Sequence, residues 1–516
     1  MDKLVLWLFF VTVAINFCNA YKLLVVFPFP AKSHSILGDN VVRHLLDAEH
    51  EVTYITPFPT KNPRKNLVQI DVSENFELFA GNIPNITLIL NNKMVFNDPV
   101  KKFKLFTKLF ENTITNVNVV KLLSDTNQRF DAVVAEWMFY DTYSGLSSLY
   151  ECPFIWVSTI EPHSLILSLI DENTNPVYVP DIMSSNIPPY GFKQRVSELY
   201  TQLRTLAFKT FYADVACKED FESFIGPYFT MRNKDIPSFY DVNGNISLIL
   251  GNSHVSLGQA TRLPQNYIPI AGYHIDSNVK PLPEDLKNLL DNSKSGLIYF
   301  SMGSNLKSKD LPDEIKRGLL KVFGELKQTV LWKFEEVVSD LPENVHIVQW
   351  APQHGILAHP NCILFITHGG HLSTTETVHF GKPVIGIPVF ADQFVNIERA
   401  VNKGFAIRVS LSYTMADDLK VAIKDVLNDN KYKERAKELS AIYHDRPTSP
   451  DKELVHWVQH VVRTGGAPHL RSPAFLVPVY QKYYLDLLAL ILAIIILLVI
   501  SLKRILKSKK KENIKK

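Results

Sequence analysis

Residues 350–393 read WAPQHGILAHPNCILFITHGGHLSTTETVHFGKPVIGIPVFADQ. Ile363–Thr367 is an unbroken apolar run, as a strand covered on both faces requires. His368-Gly369-Gly370 is a tight turn, and Ser373–Phe380 reads as a helix. Val384–Ile387 is a second buried strand, and the loop after it ends at Asp392-Gln393. Strand–helix–strand units of this kind build parallel sheets covered by helices.

The same alternation runs outward in both directions. Toward the amino terminus, Leu297–Ser301, Thr329–Trp332 and His346–Gln349 read as strands, with helices at Pro312–Glu325 and His354–Ala358. An earlier set begins with strand Tyr21–Phe27, helix Ser35–His50 and strand Glu51–Ile55. Phe130–Ala135, Pro153–Ser158, Ser247–Leu250 and Tyr267–Ala271 extend it, and Tyr190–Phe224 is mostly helical. Asp276–Pro283 is polar, carries two prolines and reads as a linker. The expected fold is therefore α/β, with two doubly wound, Rossmann-like domains facing a cleft. Ligands of such sheets sit outside the carboxyl ends of the strands.

Length and composition agree with this. A chain of 516 residues exceeds one ordinary core, and 46% hydrophobic with 21% charged residues is a folded composition. The net charge of +3 comes from the end of the chain, where residues 503–516 hold eight basic residues and one Glu. The remainder carries 47 basic and 51 acidic residues and no basic stripe with interleaved aromatics, which excludes a nucleic-acid surface. Lys3, the apolar run Leu4–Val13 and Cys18-Asn19-Ala20 form a secretory signal with cleavage before Tyr21. Leu487–Leu502 has only Ser501 as a polar residue, and with its flanks it spans a bilayer. The basic tail after it is cytoplasmic by the positive-inside rule, which puts the body in a lumen as a single-pass type I protein. Cys152, Cys217 and Cys362 remain after signal removal, without disulfide or zinc spacing, and read as buried free thiols. Asn85-Ile86-Thr87 and Asn245-Ile246-Ser247 are glycosylation sequons.

The turn after Thr367 is an anion site. Free backbone N–H groups and the helix dipole favour negative charge there, and glycines let a phosphate come close. Ser373 adds a hydroxyl, His368 an imidazole donor, Glu376 two acceptors suited to a vicinal diol, and Trp350 a flat face for a base. On these residues and spacings the segment resembles the UDP-glycosyltransferase superfamily, most closely its membrane-bound arthropod members. The likeness covers nearly the whole mature chain, including Asn252-Ser253-His254, Gly272-Tyr273-His274, Asp445-Arg446-Pro447 and His469-Leu470-Arg471. It implies the GT-B arrangement, with Trp350 and Gln353 on uracil and His368, Ser373 and Ser304 on the pyrophosphate. It also implies Glu376 on the ribose, and Asp392 with Gln393 on the sugar. Leu372 departs from the Asn that many plant members carry there.

The implied organisation is a signal peptide over 1–20, an acceptor-binding domain over 21–280 and a UDP-sugar-binding domain over 281–470. A juxtamembrane stretch at 471–484, a membrane helix at 485–503 and a cytoplasmic tail at 504–516 follow. In the family, a segment at about Pro450–Gly465 crosses back onto the first domain.

Glycosyl transfer needs a base near ambient pKa for the acceptor, and histidine suits it. His34 follows the first strand and matches the family's catalytic histidine. Glu136 follows strand Phe130–Ala135 at the family's aspartate position, with Asp141 as the fallback partner. Attack opposite UDP inverts the anomeric centre. No metal or other cofactor is implied, because a histidine and a helix terminus stand where other transferases hold a divalent ion. Phe27, Phe29, Trp137, Met138 and Phe139 flank these loops and imply a small lipophilic acceptor.

The expected function is hexosyl transfer, of glucose by analogy with arthropod members. UDP-glucuronic acid as donor is one alternative, and a catalytically dead lumenal binding protein is another. A nicotinamide oxidoreductase is excluded, because Val26–Pro30 leads into no G-x-G-x-x-G loop. Residence in the endoplasmic reticulum rests on family similarity, and self-association stays open.

Overall fold

The computed structural model describes residues 20–79, 85–91, 98–171, 174–182, 184, 186–276, 278–304, 306, 308–336 and 338–515. All but the last residue of the expected signal peptide lies outside them. By compactness the chain divides into one unit ending at Leu470 and another starting at Arg471.

The first sheet has seven strands: β1 (Lys22–Val26), β2 (Glu51–Thr56), β3 (Leu67–Asp71), β4 (Ala132–Trp137), β5 (Phe154–Ser158), β6 (Leu248–Gly251) and β7 (Tyr267–Pro269). They lie in the order β3-β2-β1-β4-β5-β6-β7, all parallel. Strand alternation explains why the central ones are apolar throughout. Leu24 and Val26 enter one core with Val133, Ala135, Trp156 and Ile249. Leu23 and Val25 enter the opposite core with Ala132, Val134, Ile155 and Leu250. Helix α1 (Lys32–Asp47) covers the latter face with Val41 and Leu45, and α2 (Ile86–Leu90) and α3 (Pro99–Thr115) follow β3 in sequence. The path from Phe192 to Met231 is helical, with π turns at Lys209–Ala213 and Phe221–Ile225.

The second sheet has six parallel strands in the order β10-β9-β8-β11-β12-β13. They are β8 (Leu297–Ser301), β9 (Thr329–Lys333), β10 (Val345–Val348), β11 (Cys362–Thr367), β12 (Val384–Gly386) and β13 (Ala406–Arg408). Helices α4 (Gln353–Ala358), α5 (His371–His379), α6 (Gln393–Asn402) and α7 (Lys431–His444) surround it.

Two passages of chain join the sheets. The first follows β7. There the Ala271 carbonyl accepts from Tyr443 Oη and from the Arg446 guanidinium, each at 3.0 Å. The second follows α7 and leads to α8 (Pro450–Arg463), which buries Leu454, Val458 and Val461 against the first sheet beside α1. In the other direction Ile86 of α2 enters the core of the second sheet, and Thr87 Oγ1 donates to the Asp310 carbonyl at 2.5 Å.

Three local readings change. β3 and β13 are strands that the apolar pattern missed: β3 is a half-exposed edge and β13 has only three residues. Glu136 lies inside β4 rather than after it. α5 starts at His371 with Gly370 as its N-cap, two residues before Ser373.

In the second unit, helix α9 (Leu485–Lys515) contains a stretch, Leu485–Ser508, long and apolar enough to cross a membrane.

Candidate active site

The carboxyl ends of both sheets open on a cleft of about 3060 Å³, lined by His34 and Trp137 on one side and by Ser304, Trp350 and Glu376 on the other. All parallel strands point their carboxyl ends the same way, so each loop that leaves a central strand contributes to its rim.

On the second sheet, Ser301 of β8 pairs with Thr367 of β11. That register sets the turns 302–304 and 368–370 side by side. The His368 ring fills the space between them so closely that a Cβ on Gly303 would lie 2.4 Å from its Cε1. A Cβ on Gly370 would lie 2.6 Å from its Nε2. Gly303 also has φ +83°, a left-handed conformation natural to glycine. Burial, with the charge of Lys333, brings the His368 pKa down to about 4, so the ring is neutral at pH 7 and can donate one hydrogen bond. Lys333 ends β9 with its ammonium on the Gly303 carbonyl at 2.9 Å and 5.7 Å from the Trp350 ring centre. Trp350 is 60% exposed, which suits a stacking surface.

The first turn of α5 and the start of α4 meet at the same end of this wall. Gln353 Nε2 donates to Ser373 Oγ at 3.2 Å and to Glu376 Oε2, while Tyr299 Oη donates to Gln353 Oε1 at 3.2 Å. Glu376 Oε1 faces His354 Nε2 at 3.1 Å and His274 Nε2 at 3.5 Å. Burial would raise the Glu376 pKa, but the close imidazoles of His274 and His354 outweigh it and hold the carboxyl well below the ordinary range. Burial also opposes protonation of His354, yet its bond to Glu376 and that carboxylate's charge leave its pKa raised.

Asp392 caps α6 and accepts from Asn396 Nδ2 at 2.7 Å; the same amide reaches the Gly369 carbonyl at 3.1 Å. The Gln393 side chain is buried, with Oε1 accepting from the amides of Val389 and Phe390 at 2.9 and 3.1 Å. Ala391 stands at φ +54°, a strained conformation held in the loop that carries Asp392.

On the first sheet, Val26 of β1 pairs with Ala135 of β4, so Glu136 comes level with the start of the short connection that leads to His34 in the first turn of α1. Glu136 Oε1 pairs with His34 Nδ1, and the carboxylate is buried while the imidazole is partly open to the cleft. That leaves His34 Nε2 free for an acceptor. Asp141 lies apart from this pair. It accepts from Trp137 Nε1 at 2.8 Å, Lys209 Nζ at 3.0 Å and Asn243 Nδ2 at 3.3 Å. The Phe29 ring lies 4.6 Å from that of His34 and 4.9 Å from Phe79; Phe106 stacks on Phe139 at 5.9 Å. Phe139 is held at φ +59°. Phe27 does not join this wall: it is buried in the core against Gly38. Asn85 caps α2 by accepting from Leu88 N at 3.0 Å, and Asn245 is exposed.

Sequence reading passed over Lys333 and His354 as site residues and quoted His274 only for its likeness. A charged residue closing a buried strand was the available signal for Lys333. His274 and His354 meet Glu376 only through tertiary folding, which no spacing reveals.

Residues 22–516 match the family described as UDP-glucoronosyl and UDP-glucosyl transferase. The chain is 31% identical to UDP-glucosyltransferase 2 of Dactylopius coccus, over 93% of this chain and 92% of that one. It is 28% identical to UDP-glucuronosyltransferase 1A8 of Rattus norvegicus, over 94% and 91%. Among solved structures it resembles a UDP-glucosyltransferase from Polygonum tinctorium capable of glucosylating indoxyl. That match has TM-score 0.56 and 15% identity, over 86% of this chain and 99% of that one. Glycosyltransferase VinC in complex with dTDP gives TM-score 0.53 at 14% identity, over 86% and 99%. With two parallel α/β sheets, a shared cleft and a family match running from β1 to the end of the chain, the protein belongs to the UDP-glucuronosyl and UDP-glucosyl transferase family and is a UDP-dependent glycosyltransferase.

Proposed function

We propose that this enzyme transfers glucose from UDP-glucose, with inversion, to a small lipophilic acceptor, with His34 as general base. The observation that carries the reading is the His34–Glu136 pair at the acceptor edge of a cleft whose other wall is residues 350–393. Glu136 on Nδ1 fixes the tautomer, so Nε2 takes the acceptor's proton. The acceptor atom forms its bond to the anomeric carbon as the carbon–oxygen bond to UDP breaks, and the electron pair leaves with UDP. The proton rests on His34, where Glu136 stabilises the imidazolium.

On the donor wall, Trp350 stacks on uracil, Gln353 bonds its edge and Glu376, held ionised, accepts from the ribose hydroxyls. His368, Ser373, Ser304 and the free amides of α5 hold the pyrophosphate without a resident metal, with Lys333 beside them as countercharge. Asp392 and Gln393 read the sugar. The ring cluster of Phe29, Phe106 and Phe139 favours an aromatic acceptor. The body is proposed to be lumenal in the endoplasmic reticulum, anchored through α9 as a type I protein, with Asn85 and Asn245 as glycosylation sites.

UDP-glucose and UDP-glucuronic acid offered to the purified enzyme with phenolic acceptors test this. A β-glucoside from UDP-α-glucose, seen by NMR of the product, is expected. A retained configuration, or turnover with UDP-glucuronic acid alone, overturns the reading; relatives of both donor names make the second donor the rival.

A further inference from the structure

Two histidines and a carboxylate converge behind the ribose end of the donor wall. His354 Nε2 and His274 Nε2 lie 3.1 and 3.5 Å from the same oxygen of Glu376, and the three ligating atoms fall within 4.8 Å of one another. They come from three elements. His274 belongs to the passage after β7, His354 is the second residue of α4, and Glu376 lies in the middle of α5. Packing within one helix therefore does not explain their meeting.

The His274 side chain is fully buried, and neither of its ring nitrogens has a hydrogen-bond partner among the described residues. At 3.5 Å its Nε2 is near Glu376 without hydrogen-bond geometry. A buried ring with two unsatisfied nitrogens is costly unless something fills one of them. The cleft reaches all three residues, so an ion has a path of entry.

We propose that His274, His354 and Glu376 bind a zinc-class divalent cation, and that this cation and the nucleotide exclude each other. Two imidazoles and one carboxylate are a donor set that zinc accepts, with the fourth position left to water. Bonds of about 2.0–2.2 Å need only small inward shifts of rings already this close. A bound cation takes the Glu376 oxygens that the ribose hydroxyls would use, so zinc acts as an inhibitor here and has no part in transfer. The exclusion rests on the ribose reading of Glu376; the metal site does not.

The test is zinc titration of the full-length, untagged protein in detergent against a chromophoric chelator, with and without UDP. One equivalent of bound zinc is expected, with affinity at least tenfold weaker in His354→Asn. His354 sits at the cleft edge, and circular dichroism verifies that this variant is folded. UDP at saturation is expected to weaken zinc binding at least tenfold. Absence of stoichiometric zinc, or equal affinity in His354→Asn, overturns the site. Zinc that binds through His354 but is indifferent to UDP overturns the exclusion and the ribose role of Glu376, and leaves the site standing.

Discussion

His34 and Glu136, 102 residues apart in sequence, are paired through Nδ1 and Oε1 at the cleft, and the second oxygen of Glu136 has no hydrogen-bond partner among the described residues. Asp141, five residues further on, is saturated by Trp137, Lys209 and Asn243 instead. The two carboxylates therefore separate by experiment. Glu136→Gln is expected to lower kcat by about 10²–10⁴-fold with little change in KM for the UDP-sugar. His34→Ala is expected to abolish turnover while UDP still binds. Steady-state kinetics with the donor varied reads both.

Asp141→Asn is expected to act on stability. Removing its charge leaves the largely buried ammonium of Lys209 with Asp214 as its remaining carboxylate among the described residues. Breaking a buried pair costs about 3–5 kcal/mol, and the remaining Asp214 places the loss at the low end. Thermal unfolding measures it; a drop in kcat with an unchanged midpoint would contradict the assignment.

Gly303→Ala and Gly370→Ala are expected to displace His368 without touching a nucleotide themselves, because either Cβ would overlap its ring. Gly303→Ala carries the additional strain of φ +83°. At least a tenfold loss of UDP affinity is expected for each, read by isothermal titration.

Acid should destabilise the protein through its buried neutral histidines. Burial brings His163 down to about 3 and His368 to about 4, the latter helped by Lys333. Below the unfolded value of about 6.5 the unfolded chain binds protons that the folded chain refuses. Stability from these groups is complete above that value and is lost as pH falls toward 4 and 3. For the fully buried His163 the slope is up to about 1.4 kcal/mol per pH unit. Denaturant melts from pH 7 to 4 follow it, and His163→Asn should flatten the curve.

The central strands and their order of appearance were legible because each is covered on both faces and must be apolar throughout. β3 escaped because an edge strand needs no such run, and Leu67–Asp71 mixes polar with apolar residues, none of them fully buried. The donor wall was legible because its residues follow one another through a strand, a turn and a helix. The choice between Glu136 and Asp141 was not, since it depends on which way each side chain leaves β4 and its loop. Likewise, the distance from His274 to Glu376 is set by how the first passage between the sheets lies on α5, and the sequence carries no record of that.

The Ala271 carbonyl, held by both Tyr443 and Arg446, has a mechanical consequence. The outgoing and returning passages between the sheets are tied together at this one carbonyl, and Gly272 leaves no room beside it: a Cβ there would lie 1.7 Å from Tyr443 Oη. A side chain at position 272 would therefore push apart the junction through which the chain both leaves and re-enters the first sheet, and Gly272→Ala is expected to loosen that junction before it disturbs either sheet.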